Sequence, residues 1–382
     1  MGSCLSLSRP HEMRSSPASD GAFEMLVVGS GGGPDQTDLS SYLVKPRAAS
    51  WQDGILSLEG GSGVGVLRRL LEQNPTLLTH EEVFGLGNGP ASPRAKRAGA
   101  IALQTYSFVR DYAITHAHFD HINGLVIMAG SSSGHRTRVH GLQGVLDRLL
   151  KAFDGGLWPT LASFDKEDDN SKYLCSVAST SKYSPMTSEL SVRALPISHG
   201  CTADPTEVYD STAFFVRNDL AGKEFLFFGD VEPDALSSNP RTLAVWQAAA
   251  PLIPDRLSAI FLECSWSSSR PDDLLFGHLS PKHFVRELCV LAEEVVKLRS
   301  KRRPSVDGSA SPPAKRQRVQ ERDIDLRGAL AGIRVHVIHC KETFDDDRPA
   351  SEVIVEQIRN LVSDLSLGAE IIGVRQGRRI VF

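Results

Sequence analysis

The chain has 382 residues, a formal net charge of −4 at pH 7 and 41% hydrophobic residues. That length can form one large domain or two modest ones with a proper core. The near-neutral charge argues against nucleic acid as the main partner, because general nucleic-acid binders carry a basic excess. No apolar run approaches the ~20 residues that span a bilayer. The six cysteines include no CxxC pair, which predicts free thiols in a reducing, cytoplasmic compartment.

The amino terminus resembles an acylation signal and lacks the apolar core of a secretion signal. Gly2 and Ser6 fit the N-myristoylation pattern, and Cys4 is a candidate for palmitoylation. Two acyl chains hold a protein stably at a membrane, whereas one holds it weakly, so the pattern predicts peripheral membrane attachment. The alternative is a chance match at the start of a disordered leader over residues 1–20.

Strand-like apolar runs alternate with segments of helical spacing along the rest of the chain. The predicted strands cover residues 23–28, 42–44, 55–58, 190–195, 211–216, 224–228, 259–262, 333–338 and 380–382. The predicted helices cover residues 64–73, 122–128, 142–153, 281–299 and 351–361. Residues 85–99 are predicted to form a loop, and residues 164–188 a polar surface excursion. The interleaving favours one α/β domain over residues 21–382.

Segment 115–121, which follows the strand-like residues 112–114, has the sequence THAHFDH. His116 and His118 are two apart and therefore point the same way from an extended backbone. Asp120 and His121 follow where the chain enters a helix. Imidazole is the commonest protein ligand for zinc, and a nearby carboxylate suits a second cation. A set of satisfied surface histidines is the alternative, but the density of ligands favours a loop that serves two metal ions.

Three further polar residues follow, or lie near, apolar strands. They are His199, Asp230 and His278. Each alone is a weak signal, since a strand can simply end in a polar turn. Together with the loop they supply a two-metal site, with His199 joining His116 and His118 on one ion. On the other ion His278 joins Asp120 and His121, and Asp230 bridges the two.

The pattern HxHxDHxxG over residues 116–124 resembles the signature of the metallo-β-lactamase superfamily. Its continuation through Ile127 is similar to the class II cyclic-nucleotide phosphodiesterases. Further segments with this similarity are residues 29–32, 157–159, 211–215, 228–234, 261–265, 275–283 and 338–341. The resemblance implies an αββα sandwich of two mixed sheets with the metals at one sheet edge. It also implies hydrolysis of 3′,5′-cyclic nucleotides, cAMP or cGMP, to nucleoside 5′-monophosphates.

The implied cofactors are two divalent ions, with zinc the best match to the ligand types. Metal binding lowers the pKa of water from about 15.7 to about 7, which supplies a hydroxide at neutral pH. Asp120 is predicted to orient or deprotonate this water, and His283 or a metal-bound water to protonate the leaving 3′-oxygen. Lys282 and His339 are candidates for phosphate or base contacts, with an ordinary surface role as the alternative for each.

The chain departs from the family pattern at two positions. The second strand of the superfamily usually ends in aspartate, whereas here Glu59 follows Leu58. Glu59 is longer by one methylene, so its support of the metal loop is expected to differ. Phe119 stands where the family usually has leucine and is expected to be an apolar filler.

A basic insertion at about residues 301–322 is rich in Ser, Pro, Lys and Arg and cannot bury enough apolar area to fold. Residues 301–303 and 315–318 resemble the two halves of a nuclear-import signal, with a solvated charged loop as the alternative. Residues 302–305 fit the pattern favoured by the cAMP-dependent kinase. Ser305 is therefore a candidate phosphorylation site, where added negative charge would feed back on the enzyme.

The leading hypothesis is a metal-dependent cyclic-nucleotide phosphodiesterase. The runner-up is another phosphodiesterase or nuclease of the superfamily, such as a transfer-RNA 3′-processing endonuclease. Against it stand the acidic balance and the lack of a basic arm for RNA. A third class, an inactive scaffolding protein, is disfavoured by the full ligand set. The sequence leaves the oligomeric state open, with a homodimer as one option.

Overall fold

The computed structural model describes residues 21–85, 94–131, 136–178, 181–202, 204, 207–302, 324–344 and 347–382. In these ranges fifteen strands form two sheets and eight α-helices lie outside them. The strands are β1 Phe23–Gly32, β2 Leu39–Pro46, β3 Ile55–Leu58, β4 Val109–Ala113, β5 Thr137–Gly141, β6 Ala162–Ser163, β7 Lys172–Ser176, β8 Ser184–Pro185, β9 Leu190–Cys201, β10 Val208–Asn218, β11 Lys223–Phe228, β12 Leu257–Glu263, β13 Arg334–Ile338, β14 Glu370–Gly373 and β15 Arg379–Val381. The helices are α1 Val64–Gln73, α2 His80–Phe84, α3 Arg94–Ser107, α4 Phe119–Met128, α5 Gln143–Leu150, α6 Thr242–Ala249, α7 Pro281–Arg302 and α8 Ala350–Leu365.

Both sheets of the described chain are mixed. The first has eight strands in the order β15-β1-β2-β3-β4-β5-β7-β6, and the second has seven in the order β14-β13-β12-β11-β10-β9-β8. In the first sheet the pairs from β15 to β3 are antiparallel and those from β3 to β6 are parallel. In the second, the pairs from β14 to β11 are parallel and those from β11 to β8 antiparallel. Each sheet therefore holds neighbouring parallel strands whose carboxyl ends lie at one edge.

The strands are apolar on both faces because both faces are covered. In β12, Phe261 packs in the apolar layer between the sheets, whereas Ile260 and Leu262 face the layer of α6, α7 and α8. In β1, Val27 faces the central layer and Leu26 the helices over the first sheet. Period-two alternation thus fills two different cores from one strand. The layers form an αββα sandwich, which confirms the expected fold class.

Most predicted elements are present, and two loop predictions are wrong. The excursion predicted at 164–188 contains β7, an inner strand of the first sheet with Leu174 fully buried. The charged residues ahead of β7 masked this short strand. The loop predicted at 85–99 ends early, because α3 begins at Arg94. Helix α2 was also missed, although its Thr79–Glu82 capping box is a recognisable start signal.

Several predicted features lie outside the described residues. They are Gly2, Cys4, Ser305 and the basic insertion beyond Arg302, where α7 ends. Helices of the described chain are all too short or too polar to span a bilayer.

His336 is a buried histidine in β13 that stacks on Phe261, with ring centroids 4.4 Å apart and an interplanar angle of 9°. Neither ring nitrogen has a hydrogen-bond partner among the described residues. Burial, with a smaller contribution from Arg334, lowers the pKa of His336 to about 3. The ring therefore stays neutral in the folded protein over most of the acidic range.

We predict that His336→Phe removes part of the acid sensitivity of the fold. An unfolded histidine binds a proton below pH ~6.5, whereas folded His336 binds one only near pH 3, so wild-type stability falls as pH drops below about 6.5. The variant should gain about 2 kcal/mol more over wild type at pH 5 than at pH 8, measured by urea unfolding. The partly exposed His80, as H80F, is the control. An equal gain for H336F at both pH values would contradict the prediction.

Candidate metal centre

The HxHxDH segment lies where β4 ends and α4 begins. His116 and His118 belong to the short connection after β4, and Asp120 and His121 to the first turn of α4. His116 and His121 are almost completely buried. The strand-to-helix transition at this point therefore sends the two pairs of side chains toward different positions, as the spacing predicts.

The first ligand group contains His116, His118, His199 and Asp230. His118 Nδ1 lies 3.1 Å from His116 Nε2 and 3.3 Å from His199 Nε2. Asp230 Oδ2 lies 3.5 and 3.7 Å from the same two Nε2 atoms. A tetrahedral zinc site with Zn–N bonds of ~2.0–2.1 Å has neighbouring ligand atoms about 3.3 Å apart. The spacing of this group fits such an ion.

The second ligand group contains Asp120, His121, Asp230 and His339. His339 Nε2 lies 3.0 Å from His121 Nε2 and 3.2 Å from both Asp120 Oδ2 and Asp230 Oδ1. The sequence placed His278 in this group and treated His339 as a substrate contact. The structure brings His339 to that position, because β13 ends beside α4 while His278 Nδ1 is held by Glu263 Oε1 at 2.9 Å. The signal for His339 was its position immediately after a buried strand, as for Asp230.

Asp230 faces both groups, one carboxylate oxygen to each. Oδ2 is directed to His116 and His199, and Oδ1 to His121 and His339. The carboxylate is 1% exposed, and Oδ1 has no hydrogen-bond partner in the described chain. A buried carboxylate oxygen without a donor is costly unless a cation satisfies it. The carboxylate therefore lies between the two groups, in a position that fits a divalent metal ion.

In four of the ligand histidines the ring nitrogen that faces away from the cluster lies near another polar atom. His116 Nδ1 lies 3.0 Å from Thr115 Oγ1, and His199 Nδ1 lies 2.8 Å from the carbonyl of Gly277. For the second group, His339 Nδ1 lies 3.0 Å from Ser265 Oγ, and His121 Nδ1 lies 3.2 Å from Glu59 Oε1. Such outer contacts fix ring orientation and are typical of metal-binding histidines.

Gly32 provides the space that His339 occupies. A Cβ at Gly32 would lie 2.3–2.7 Å from three atoms of the His339 ring, which no real contact allows. His339 itself has a φ of 58°, and its backbone N–H donates to the Ser30 carbonyl. The glycine that ends β1 is therefore needed for the close packing of His339 in the second group.

The protonation states of the side chains in the two ligand groups suit metal binding. Burial lowers the pKa of His118 and of His199 to about 4, so both rings are neutral at pH 7 with a free lone pair. Burial raises the pKa of Asp230, but His339, His121 and His116 outweigh it and hold the carboxyl ionised. Neutral imidazole and ionised carboxylate are the forms that bind metal. These clusters fit divalent metal ions.

His278 and Glu263 form a buried pair beside the ligands. Their contact leaves the His278 ring between His199 and His339, with centroids 4.8 and 5.4 Å away. Burial, and then the neighbouring Asp230, raises the pKa of Glu263 to about 7. Glu263 was not identified from the sequence, because a glutamate at the end of an apolar strand has no distinctive spacing.

Lys282 and His283 are engaged elsewhere. Both lie in the first turn of α7 and contact Asp272, with Lys282 Nζ 2.7 Å and His283 Nε2 3.0 Å from Oδ1. Asp272 lines the cavity at the ligand groups, whereas neither Lys282 nor His283 does. The structure therefore places both behind Asp272, which agrees with the surface role given as the alternative for Lys282 and leaves the proton-donor role of His283 a prediction.

A cavity of about 550 Å³ opens beside the first ligand group. Its walls include His118, His199, Tyr209 and Phe276. The Tyr209 ring stacks on His118 at 4.4 Å, and the Arg148 guanidinium covers Tyr209 at 4.6 Å. Phe276 is 65% exposed and offers a free aromatic face. Phe119 is 68% exposed, so it is a surface residue near the loop and not the expected apolar filler.

The fold and the paired ligand groups define the class, a hydrolase of the metallo-β-lactamase fold. The solved structure of unliganded yeast PDE1 matches with a TM-score of 0.77 at 22% identity, covering 95% of this chain and all of that one. The metallo-β-lactamase fold protein YhfI from Bacillus subtilis matches with a TM-score of 0.50 at 11% identity, covering 94% and 98% of the two chains.

Residues 97–377 match the family model of class-II cAMP phosphodiesterases, and the chain belongs to this family. A 3′,5′-cyclic-nucleotide phosphodiesterase from Schizosaccharomyces pombe is 34% identical over 276 residues, which is 71% of this chain and 76% of the relative. One from Aliivibrio fischeri is 25% identical over 368 residues, 96% and 94% of the two chains. These matches do not favour the transfer-RNA 3′-processing alternative.

We predict that Glu59 supports the metal loop through His121 and Thr115. Glu59 is fully buried, has a φ of 62° and accepts hydrogen bonds from the Thr115 side chain and backbone. Glu59→Gln should weaken metal retention about 10- to 100-fold, since outer contacts of this kind tune affinity by that amount. Bound metal is measured by mass spectrometry after dialysis against a competing chelator.

The matched control is Glu189→Gln, because Glu189 is another glutamate with a left-handed backbone, φ 60°, but is exposed. Equal metal retention in the two variants would show that Glu59 does not support the site.

Proposed function

We propose that the protein hydrolyses 3′,5′-cyclic nucleotides to nucleoside 5′-monophosphates at this centre. The observation that supports this best is the pair of four-ligand groups that share Asp230, the first of which borders a cavity of about 550 Å³ through His118 and His199. Two divalent ions, proposed to be zinc, would be held by His116, His118, His199 and Asp230 and by Asp120, His121, Asp230 and His339. When bound, such ions supply a nucleophile at neutral pH and offset charge on the phosphoryl group.

In this reaction a water oxygen bonds to phosphorus and the bond from phosphorus to O3′ breaks. Asp120 is 21% exposed at its side chain, so it is more accessible than the buried Asp230. We assign it the role of orienting the attacking water. Lys341 Nζ lies 4.0 Å from Asp120 Oδ2 and donates to the Gly32 carbonyl. Its positive charge at this position favours a phosphoryl group with developing negative charge.

The departing O3′ needs a proton. We assign its delivery to His278 instead of His283. His278 lies against ligand rings of both groups, and its Nδ1 is paired with Glu263, whose pKa is raised to about 7. Burial lowers the pKa of His278, so its ring is neutral. When Glu263 is protonated and donates to Nδ1, the ring proton of His278 is on Nε2; this proton passes to O3′ while the Glu263 proton moves to Nδ1. His283 is paired with Asp272 and, among the described contacts, not with a side chain of either ligand group. A positioned acid of this kind contributes roughly 10²–10⁴-fold to a rate.

The nucleoside fits the aromatic side of the cavity. Phe276, which is mostly exposed, offers an apolar ring, Tyr209 adds its ring edge between His118 and Arg148, and Asp273 and Glu232 bring carboxylates to the same walls. A purine ring is flat and apolar on its faces and carries N–H donors at its edge, so it matches this lining. Adenine and guanine both meet these requirements.

The proposed activity predicts turnover of cAMP or cGMP by the purified, metal-loaded protein. Chelation should lower the rate at least ~100-fold, and addition of zinc should restore it. Product chromatography should show the 5′-monophosphate and not the 3′-monophosphate. Cleavage of a precursor transfer RNA with both cyclic nucleotides left intact would instead select the alternative function.

His339→Ala and His278→Ala are both predicted to impair the enzyme, the first through loss of bound metal and the second through loss of turnover. His339→Ala should lower bound zinc from two equivalents to one, because the second group loses a ligand. His278→Ala should keep both equivalents but lose roughly 10²–10⁴-fold in turnover. The partly exposed His80, as H80A, serves as the control for both variants. If His278→Ala loses an ion while His339→Ala keeps both, the ligand assignment drawn from the sequence is correct and the one above is wrong.

A further inference from the structure

A second cavity, of about 450 Å³, lies between the helices over the first sheet and is separate from the metal centre. Its walls are formed largely by Val64, Leu103, Tyr106, Tyr112 and Met128. Its volume falls within the ~300–1,000 Å³ typical of small-molecule sites, which are mostly apolar with a few placed polar groups. None of these side chains contributes to either ligand group.

Lys172, the first residue of β7, lines the same cavity and is 2% exposed. In the described chain its ammonium contacts only the Thr137 hydroxyl, at 3.4 Å, and no carboxylate lies within ion-pair distance. Burial lowers its pKa to about 8, so most molecules carry the charge at pH 7. A buried ammonium is costly unless an anion compensates it.

We propose that this cavity binds a small amphipathic monoanion, whose carboxylate pairs with Lys172 and whose apolar part fills the space among Leu103, Tyr106 and Met128. A single cation favours one negative charge over a phosphate dianion. Leu103 is 63% exposed and Phe84 42% exposed at the opening, so a ligand has access from solvent. A carboxylate with an aliphatic tail matches both the charge and the lining.

The cavity wall is connected to the loop that positions the second ligand group. Tyr106 donates its hydroxyl to the Ser62 carbonyl, and Met128 accepts from the Val64 backbone N–H at 3.2 Å. Loop residues Gly60 and Gly61 in turn exchange backbone hydrogen bonds with α4, which carries Asp120 and His121. An occupant that moves this wall would therefore alter the metal loop, and the cavity is a candidate regulatory site.

Binding is tested with decanoate below its micelle concentration, by calorimetry on the full-length, metal-loaded protein. Decanoate should bind one site, whereas decanol should bind more weakly and acetate or inorganic phosphate not measurably. Lys172→Met should weaken decanoate at least ~10-fold, the loss expected when a charged hydrogen bond is removed. The exposed Lys151, as K151M, should bind like wild type.

Leu103→Glu is the second variant, because this exposed rim position tolerates substitution and places a repelling carboxylate at the opening. It keeps the test valid if Lys172→Met does not fold. Unchanged decanoate affinity in either folded variant, or binding of phosphate in place of decanoate, overturns the proposal. The regulatory part rests on the proposed function, since it requires decanoate to change cyclic-nucleotide turnover. The binding measurement does not depend on the proposed function, so a failure of decanoate binding and a failure of the proposed function are distinguishable.

Discussion

The carboxylate of Asp230 is the interaction on which the centre depends. It is buried among five imidazoles that are themselves buried, and each oxygen faces a different ligand group. Such a carboxylate is stable only with compensating positive charge. The ordinary pairing residues, lysine and arginine, do not contact it within the described chain, which leaves cations shared with the histidines. The family membership, the fold and the position of the cavity are all consistent with cations that bind at the Asp230 carboxylate.

The sequence predicted most of the fold because its strands are unambiguous. Residues 225–228 of β11 and 259–262 of β12 are continuously apolar, and this is how strands that are buried on both faces appear. Prediction failed where the apolar pattern was short or interrupted. β7 follows a charged stretch, and α3 begins with several basic residues. These elements are specified by what packs on them, as with Leu174, and not by local spacing.

The candidate site was predicted from the sequence to a similar extent. The dense HxHxDH loop identified four side chains at once, and the ends of buried strands indicated His199 and Asp230. The choice between His278 and His339 could not be made, because both follow apolar segments and only the packing of β13 beside α4 separates them. Glu263 lies in the family-like segment 261–265 and Tyr209 in no recognised motif, but the role of neither could be predicted, since both roles arise from neighbours far away in the chain.

The ligands are supplied by both halves of the sandwich. His116, His118, Asp120 and His121 follow a strand of the first sheet, whereas His199, Asp230 and His339 belong to or follow strands of the second. Ions held at this seam would cross-link two layers that are otherwise joined by side-chain packing and by hydrogen bonds such as that from the His339 backbone N–H to the Ser30 carbonyl. Bound ions would then stabilise the contact between the two sheets. Loss of the ions would lower the free energy of unfolding of the whole domain as well as its activity.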